Sequence, residues 1–130
     1  MNQELLMQAS FLQKYSEEIE QNLSLIDSQI KDLEDFMKSL QFFSNIKEKG
    51  ILSGLGRGIY VKTNLEEKEL FVEVGAGIIV KKTPEEVVKT IIEQIKRLNE
   101  SRIQLTSHFE VYQAQLRSII SEIERQKKEQ

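Results

Sequence analysis

The sequence has no cysteine, no tryptophan, one proline and one histidine in 130 residues. Without cysteine there are no disulfides and no thiolate-ligated zinc, and the reducing cytoplasm is the expected compartment. His108 alone, beside an apolar position and without a second imidazole, gives neither a metal centre nor a general base. No metal, cofactor or catalytic residue is therefore expected, and the chain reads as a non-enzyme. Long apolar runs are also missing; none nears the roughly 20 residues of a membrane span. The amino terminus lacks a basic segment followed by an apolar one, so a chain with no cleaved leader and no membrane attachment is expected.

Charge of a single sign is scarce as well. The net charge is −3, and Lys and Arg are interspersed with Asp and Glu along the chain. Nucleic acid binding needs clustered positive charge, so that class is excluded. The acidic residues, among them Glu17, Glu18 and Glu20, read as a solvated face. Open helices supply no pocket that would shift a carboxylate pKa.

Helix breakers are absent from most of the chain. All six glycines lie between Gly50 and Gly77, and the proline is Pro84. Residues 1 to 49 and 85 to 130 thus contain neither. The expected organisation is one domain over 1–130, with a first helix over 1–48, a β region over 50–82 and a second helix over 83–130.

Both helical segments carry apolar residues in four-three alternation. In the first, Leu5, Leu12, Ile19, Ile26, Leu33 and Leu40 form a strict seven-residue series, and Ala9, Ser16, Leu23, Ile30 and Met37 form the second. This is a coiled-coil seam. The second segment opens with the start signal Thr83-Pro84-Glu85-Glu86 and continues through Val88, Ile91, Ile95, Leu98, Arg102, Leu105, Phe109, Tyr112, Leu116, Ile119 and Ile123. Folded antiparallel, the two place Ser16 opposite Tyr112 and Ala9 opposite Ile119, so that small residues meet large ones, and Ile26 opposite Arg102, an apolar stem whose head is directed outward. At 1.5 Å per residue each arm is roughly 60 to 70 Å long.

In the middle, Ile59-Tyr60-Val61-Lys62-Thr63, Leu70-Phe71-Val72-Glu73-Val74 and Ile78-Ile79-Val80 are rich in β-branched and aromatic residues and read as short strands. Ile51-Leu52 is a candidate for a further strand. Asn64 to Glu69 reads as one hairpin connection, and Gly75-Ala76-Gly77 as a second turn or bulge. Strands of this kind leave open edges, so Ile59, Tyr60, Val61, Phe71, Val72, Val74, Ile78, Ile79 and Val80 are expected to pair with other subunits. Gly54-Leu55-Gly56-Arg57-Gly58 lacks the Gly-Lys-Ser/Thr ending and a following helix, so turn glycines explain it better than a phosphate loop.

Val72 through Glu86 resembles the second hairpin and helix start of the alpha-class prefoldin subunit, especially its archaeal form. Leu55-Gly56-Arg57-Gly58-Ile59-Tyr60-Val61 is similar to that family's first hairpin, although Ile51-Leu52-Ser53-Gly54 lacks its common Val-Pro pair. The resemblance covers essentially the whole chain. It implies a mainly α fold with a small β region: a long antiparallel coiled-coil hairpin with two β-hairpins at its bend, joining an oligomeric β body. It further implies a hexamer of two alpha and four prefoldin beta subunits, which holds unfolded client proteins without ATP and passes them to a group II chaperonin.

A holdase needs apolar side chains open to water. Leu6, Met7, Phe11 and Tyr15 lie off the seam, at e, f, c and g, and Ile120 lies off it on the second arm. With the terminal seam residues Leu5, Ile119 and Ile123 they are the candidate client surface. Ile103 and Val111 are off-seam apolars of no assigned role. A coiled-coil scaffold or adaptor with one defined partner accounts for the heptads equally and for the β middle less well.

Overall fold

The computed structural model describes residues 3–129. Two long helices, α1 (Gln3–Asn45) and α2 (Pro84–Lys128), flank four strands, β1 (Gly50–Gly56), β2 (Ile59–Asn64), β3 (Leu70–Gly75) and β4 (Ile78–Lys82). The fold is mainly helical, with two small antiparallel hairpins between the helices. α1 ends at Asn45, short of the expected 48.

The seam explains which residues the helices bury. Between residues 3 and 40, the eleven heptad positions from Leu5 to Leu40 are buried or half-buried, and every other residue is exposed. On α2 the same holds for every predicted seam residue except Arg102, with Val87, Gln113, Glu122 and Gln126 half-buried in addition. α2 starts where its cap dictates: the Glu86 amide donates to Thr83 Oγ1 at 3.1 Å.

The chain divides into two compact units, one of residues up to Lys31 with those from Ile95 onward, the other Asp32–Gln94. In the first unit α1 and α2 run antiparallel, as two cross-helix contacts show. The Tyr15 and Tyr112 rings lie 6.2 Å apart, tilted by 36°. Arg102 Nε lies 2.8 Å from Asp27 Oδ1, so its stem crosses the seam and its charge reaches the flank. Ile19 and Leu116 are buried here, and so is Ser16, at 2% exposure.

In the second unit the hairpins β1–β2 and β3–β4 each form their own sheet. The stretch Asn64 to Glu69 therefore joins two hairpins, which corrects the expectation that it closes one. The turns explain why. Arg57 and Gly58 have φ of 54° and 76°, Ala76 and Gly77 of 51° and 74°, the paired left-handed values of the type I′ turn that matches strand twist. Each hairpin also has a register shift just before its turn, between Gly54 and Gly56 and between Glu73 and Gly75.

Alternation sorts the strand side chains onto two faces. Leu70, Val72, Val80 and Lys82 are half-buried, and Val72 lines an apolar groove with Phe36, Leu40, Phe43 and Val87. The opposite face, with Phe71 across from Lys81 and Glu73 across from Ile79, is exposed. In the first hairpin Ser53 and Thr63 join hydroxyls at 2.8 Å, while Leu52, Tyr60 and Lys62 are exposed. Lys68, in the link between hairpins, donates from Nζ to the Ser44 carbonyl at 2.7 Å, and Ser44 Oγ donates to Glu85 Oε1 at 3.2 Å.

Candidate functional site

The candidate residues fall into two sets in separate units. The first set lies in the unit where α1 begins and α2 finishes. Heptad geometry turns Leu6, Met7, Phe11, Tyr15 and Ile120 away from the seam, and all five are exposed, Met7 at 61% and Phe11 at 53%. Leu5, Ile119 and Ile123 are half-buried in the seam.

One groove of about 460 Å³ runs along this pairing, lined by Gln8, Phe11, Leu12, Gln115, Ser118 and Ile119. It brings Phe11 and Ile119 together. Leu6, Met7, Tyr15, Ile120 and Ile123 do not line it, and Tyr15 instead sits against Tyr112. Gln8, Leu12, Gln115 and Ser118 line the groove as well, although none is an exposed apolar side chain. Their signal was positional: Phe11 and Leu12 come three and four residues after Gln8 on α1, and Ser118 and Ile119 three and four after Gln115 on α2, which puts each trio on one helix face.

The end of α2 is held by ion pairs. Arg125 donates from Nε to Glu122 Oε2 at 3.0 Å and from Nη2 to Glu122 Oε1, and its Nη1 lies 3.2 Å from Glu129 Oε1. The Arg125 hydrogen bonds hold the Glu122 carboxyl below its ordinary value, against the opposing effect of desolvation, and raise Arg125 in turn. These groups lie at the surface, and they order the last turns of α2. Among the described residues no group of three or more His, Cys, Asp or Glu could hold a metal ion. No described helix is long and apolar enough to cross a membrane.

The second set lies on the hairpins. Ile59, Tyr60, Val61, Phe71, Val74, Ile78 and Ile79 are exposed, whereas Val72 and Val80 are half-buried on the inward face. Lys81 Nζ stands 5.7 Å from the centre of the Phe71 ring and 3.6 Å from Glu69. Tyr60 pairs with Gly54 across the first hairpin, its ring covering the position where Gly54 has no side chain. With Leu52 and Leu55 of β1, nine exposed large apolar side chains lie on two two-stranded sheets, an apolar surface that marks an interaction site.

The comparisons with known proteins agree with this architecture. No curated protein matches the chain. Among solved structures, the filamentous PFD from Methanocaldococcus jannaschii, determined by cryo-electron microscopy, has a similar fold. Its TM-score is 0.75 at 23% sequence identity, over 89% of this chain and 98% of that one. The family model described as "Prefoldin subunit" matches residues 12–129, which takes in α1 from Leu12 onward, all four strands and α2, and so this chain belongs to the prefoldin family.

Proposed function

We propose that the chain is an alpha-class holdase subunit, non-catalytic and ATP-independent, that assembles through its hairpins and holds unfolded proteins at the free ends of its helices. The observation that carries the reading is the exposure of Leu6, Met7, Phe11, Tyr15 and Ile120 on a helix pair whose seam is otherwise regular. Only apolar surface that is not already covered can hold the exposed apolar residues of a client. Flexible Met7 suits clients of varied shape.

The presence of two hairpins supports the alpha class. A prefoldin beta subunit is then the partner, in a hexamer of two alpha and four beta subunits, and a group II chaperonin receives the client. The work is placed in the cytoplasm. Hairpin pairing between subunits involves Ile59, Tyr60, Val61, Phe71, Val74, Ile78 and Ile79, with Val72 and Val80 behind them.

A second reading is self-assembly without a beta partner. It is favoured by the likeness to a filamentous PFD, and by hairpin edges that no other strand among the described residues pairs.

The test is native mass by light scattering, alone and with a beta-class prefoldin, together with suppression of aggregation of a chemically unfolded client. A defined hetero-oligomer that suppresses aggregation without ATP supports the first reading; a large homo-oligomer with the same activity supports the second. Replacing Leu6, Met7 and Phe11 together with Ser abolishes suppression while native mass and helicity stay intact. A stable dimer with no holding activity would return the chain to the adaptor class.

A further inference from the structure

The two hairpins are built alike but are not charged alike. Leu52 corresponds to Phe71, Gly54 to Glu73 and Lys62 to Lys81. β1 has no charged residue and β2 has one, Lys62; β3 has one, Glu73, and β4 has Lys81 and Lys82. Lys81 is already engaged, 3.6 Å from Glu69 and above the Phe71 ring, and Lys82 is half-buried. Lys62 and Glu73 are thus the charges of opposite sign left on the outward faces of the strands.

β2 and β3 follow one another in the chain and yet belong to separate sheets. The link between them is tied to the end of α1 by the bond from Lys68 to the Ser44 carbonyl. Each of the two strands has an edge that no other strand among the described residues pairs. Of the ways to join the first hairpin to the second, only β2 beside β3 sets opposite charges together. β2 beside β4 sets Lys62 against two further lysines, and β1 brings no charge. Opposite charges across a strand pair stabilise it, and like charges directly opposite destabilise it.

The register follows from the faces, because a slip of one residue turns every side chain over. With the strands antiparallel and Lys62 opposite Glu73, Thr63 lies opposite Val72 and Asn64 opposite Phe71. Exposed Lys62 and Asn64 then meet exposed Glu73 and Phe71, and half-buried Thr63 meets half-buried Val72. The ion pair is flanked by Leu52 and Ile79, the cross-strand neighbours of Lys62 and Glu73, which are 65% and 63% exposed in the single chain.

We propose that β2 of one copy pairs antiparallel with β3 of the next copy, Lys62 opposite Glu73, and that this junction joins copies head to tail. Each copy carries one Lys62 edge and one Glu73 edge, so the contact is heterologous and propagates from copy to copy without a two-fold axis. The inference rests on the self-assembly reading and adds to it the strands, the register and the polarity of the junction.

The experiment is native mass by light scattering against protein concentration for the full-length chain, Lys62→Glu and Glu73→Lys, with helicity followed by circular dichroism. Either single variant sets like charges opposite one another at every junction and raises the concentration needed for assembly about tenfold. An equal mixture of the two has matched charges at every junction when the copies alternate, and regains the wild-type mass. The chain carrying both changes regains it alone. A variant that had merely lost its fold would be rescued by neither.

Single variants that assemble like wild type, or a mixture that stays small or stops at a dimer, overturn the proposal and leave the self-assembly reading in place. A wild-type chain that is monomeric or dimeric on its own overturns both.

Discussion

Lys68 closes the carboxyl end of α1 from outside the helix: its Nζ donates to the Ser44 carbonyl at 2.7 Å, 24 residues away in sequence. The last turn of α1 has no basic residue of its own, so this ammonium is the cation that complements the negative end of the helix dipole. Lys68→Met removes it and costs about 1 kcal/mol. Urea unfolding reads the loss, and faster amide exchange localised to residues 43–46 shows where it falls.

Ser16 Oγ is buried and lacks a hydrogen-bond partner among the described residues. A buried hydroxyl in that state costs roughly 1 to 3 kcal/mol, and alanine is the better helix former. Ser16→Ala therefore raises the stability of the helix pair by about 1 kcal/mol, measured by thermal unfolding followed at 222 nm. Ser16→Leu overfills the space opposite Tyr112 and lowers it.

Ala76 occupies a left-handed conformation, φ 51°, directly before Gly77. Asn tolerates that conformation far better than Ala, and Asn-Gly is the preferred type I′ pair. Ala76→Asn stabilises the second hairpin by up to about 1 kcal/mol, and Arg57→Asn does the same for the first. Gly77→Ala has the opposite sign. Assembly midpoints in urea rank the three variants.

Glu122 supplies the pH dependence of the α2 end. Its carboxyl is held below its ordinary value of 4.5 by the Arg125 hydrogen bonds. The contribution is thus fully present above the unfolded carboxylate pKa and is lost as pH falls through the lowered folded value. Acidification loosens the turns around Arg125, seen as faster amide exchange at residues 122–128, while solvent screening keeps the effect on global melting small.

The helices were legible because a coiled-coil seam writes burial directly into sequence spacing: from Leu5 to Leu40 the half-buried residues are the heptad residues and no others. Arg102 was legible as well, since a long stem opposite Ile26 has to send its charge sideways, and Asp27 lies there to meet it. The strands were less so. β1 contains Gly50, Ser53, Gly54 and Gly56, poor strand formers whose pairing depends on cover from Tyr60 and on the Ser53–Thr63 bond. Asn64 to Glu69 has a length that fits a hairpin loop or a link, and composition does not separate them. The exposed apolar residues near the start of α1 could be listed from heptad position, but Gln8, Gln115 and Ser118 are ordinary surface residue types whose meaning depends on sharing one groove.

The two hairpins have the same plan at a constant offset. Gly56, Arg57, Gly58, Ile59, Val61 and Lys62 correspond to Gly75, Ala76, Gly77, Ile78, Val80 and Lys81, with the register shift in the same place and the turns at nearly the same dihedral angles. Removing residues 56–74, which joins Leu55 to Gly75, therefore takes out one hairpin's worth of chain and keeps a Gly-Ala-Gly turn between a first strand and a second. The two hairpins are interchangeable modules, and a nineteen-residue deletion converts a two-hairpin chain into a one-hairpin chain without a change of turn.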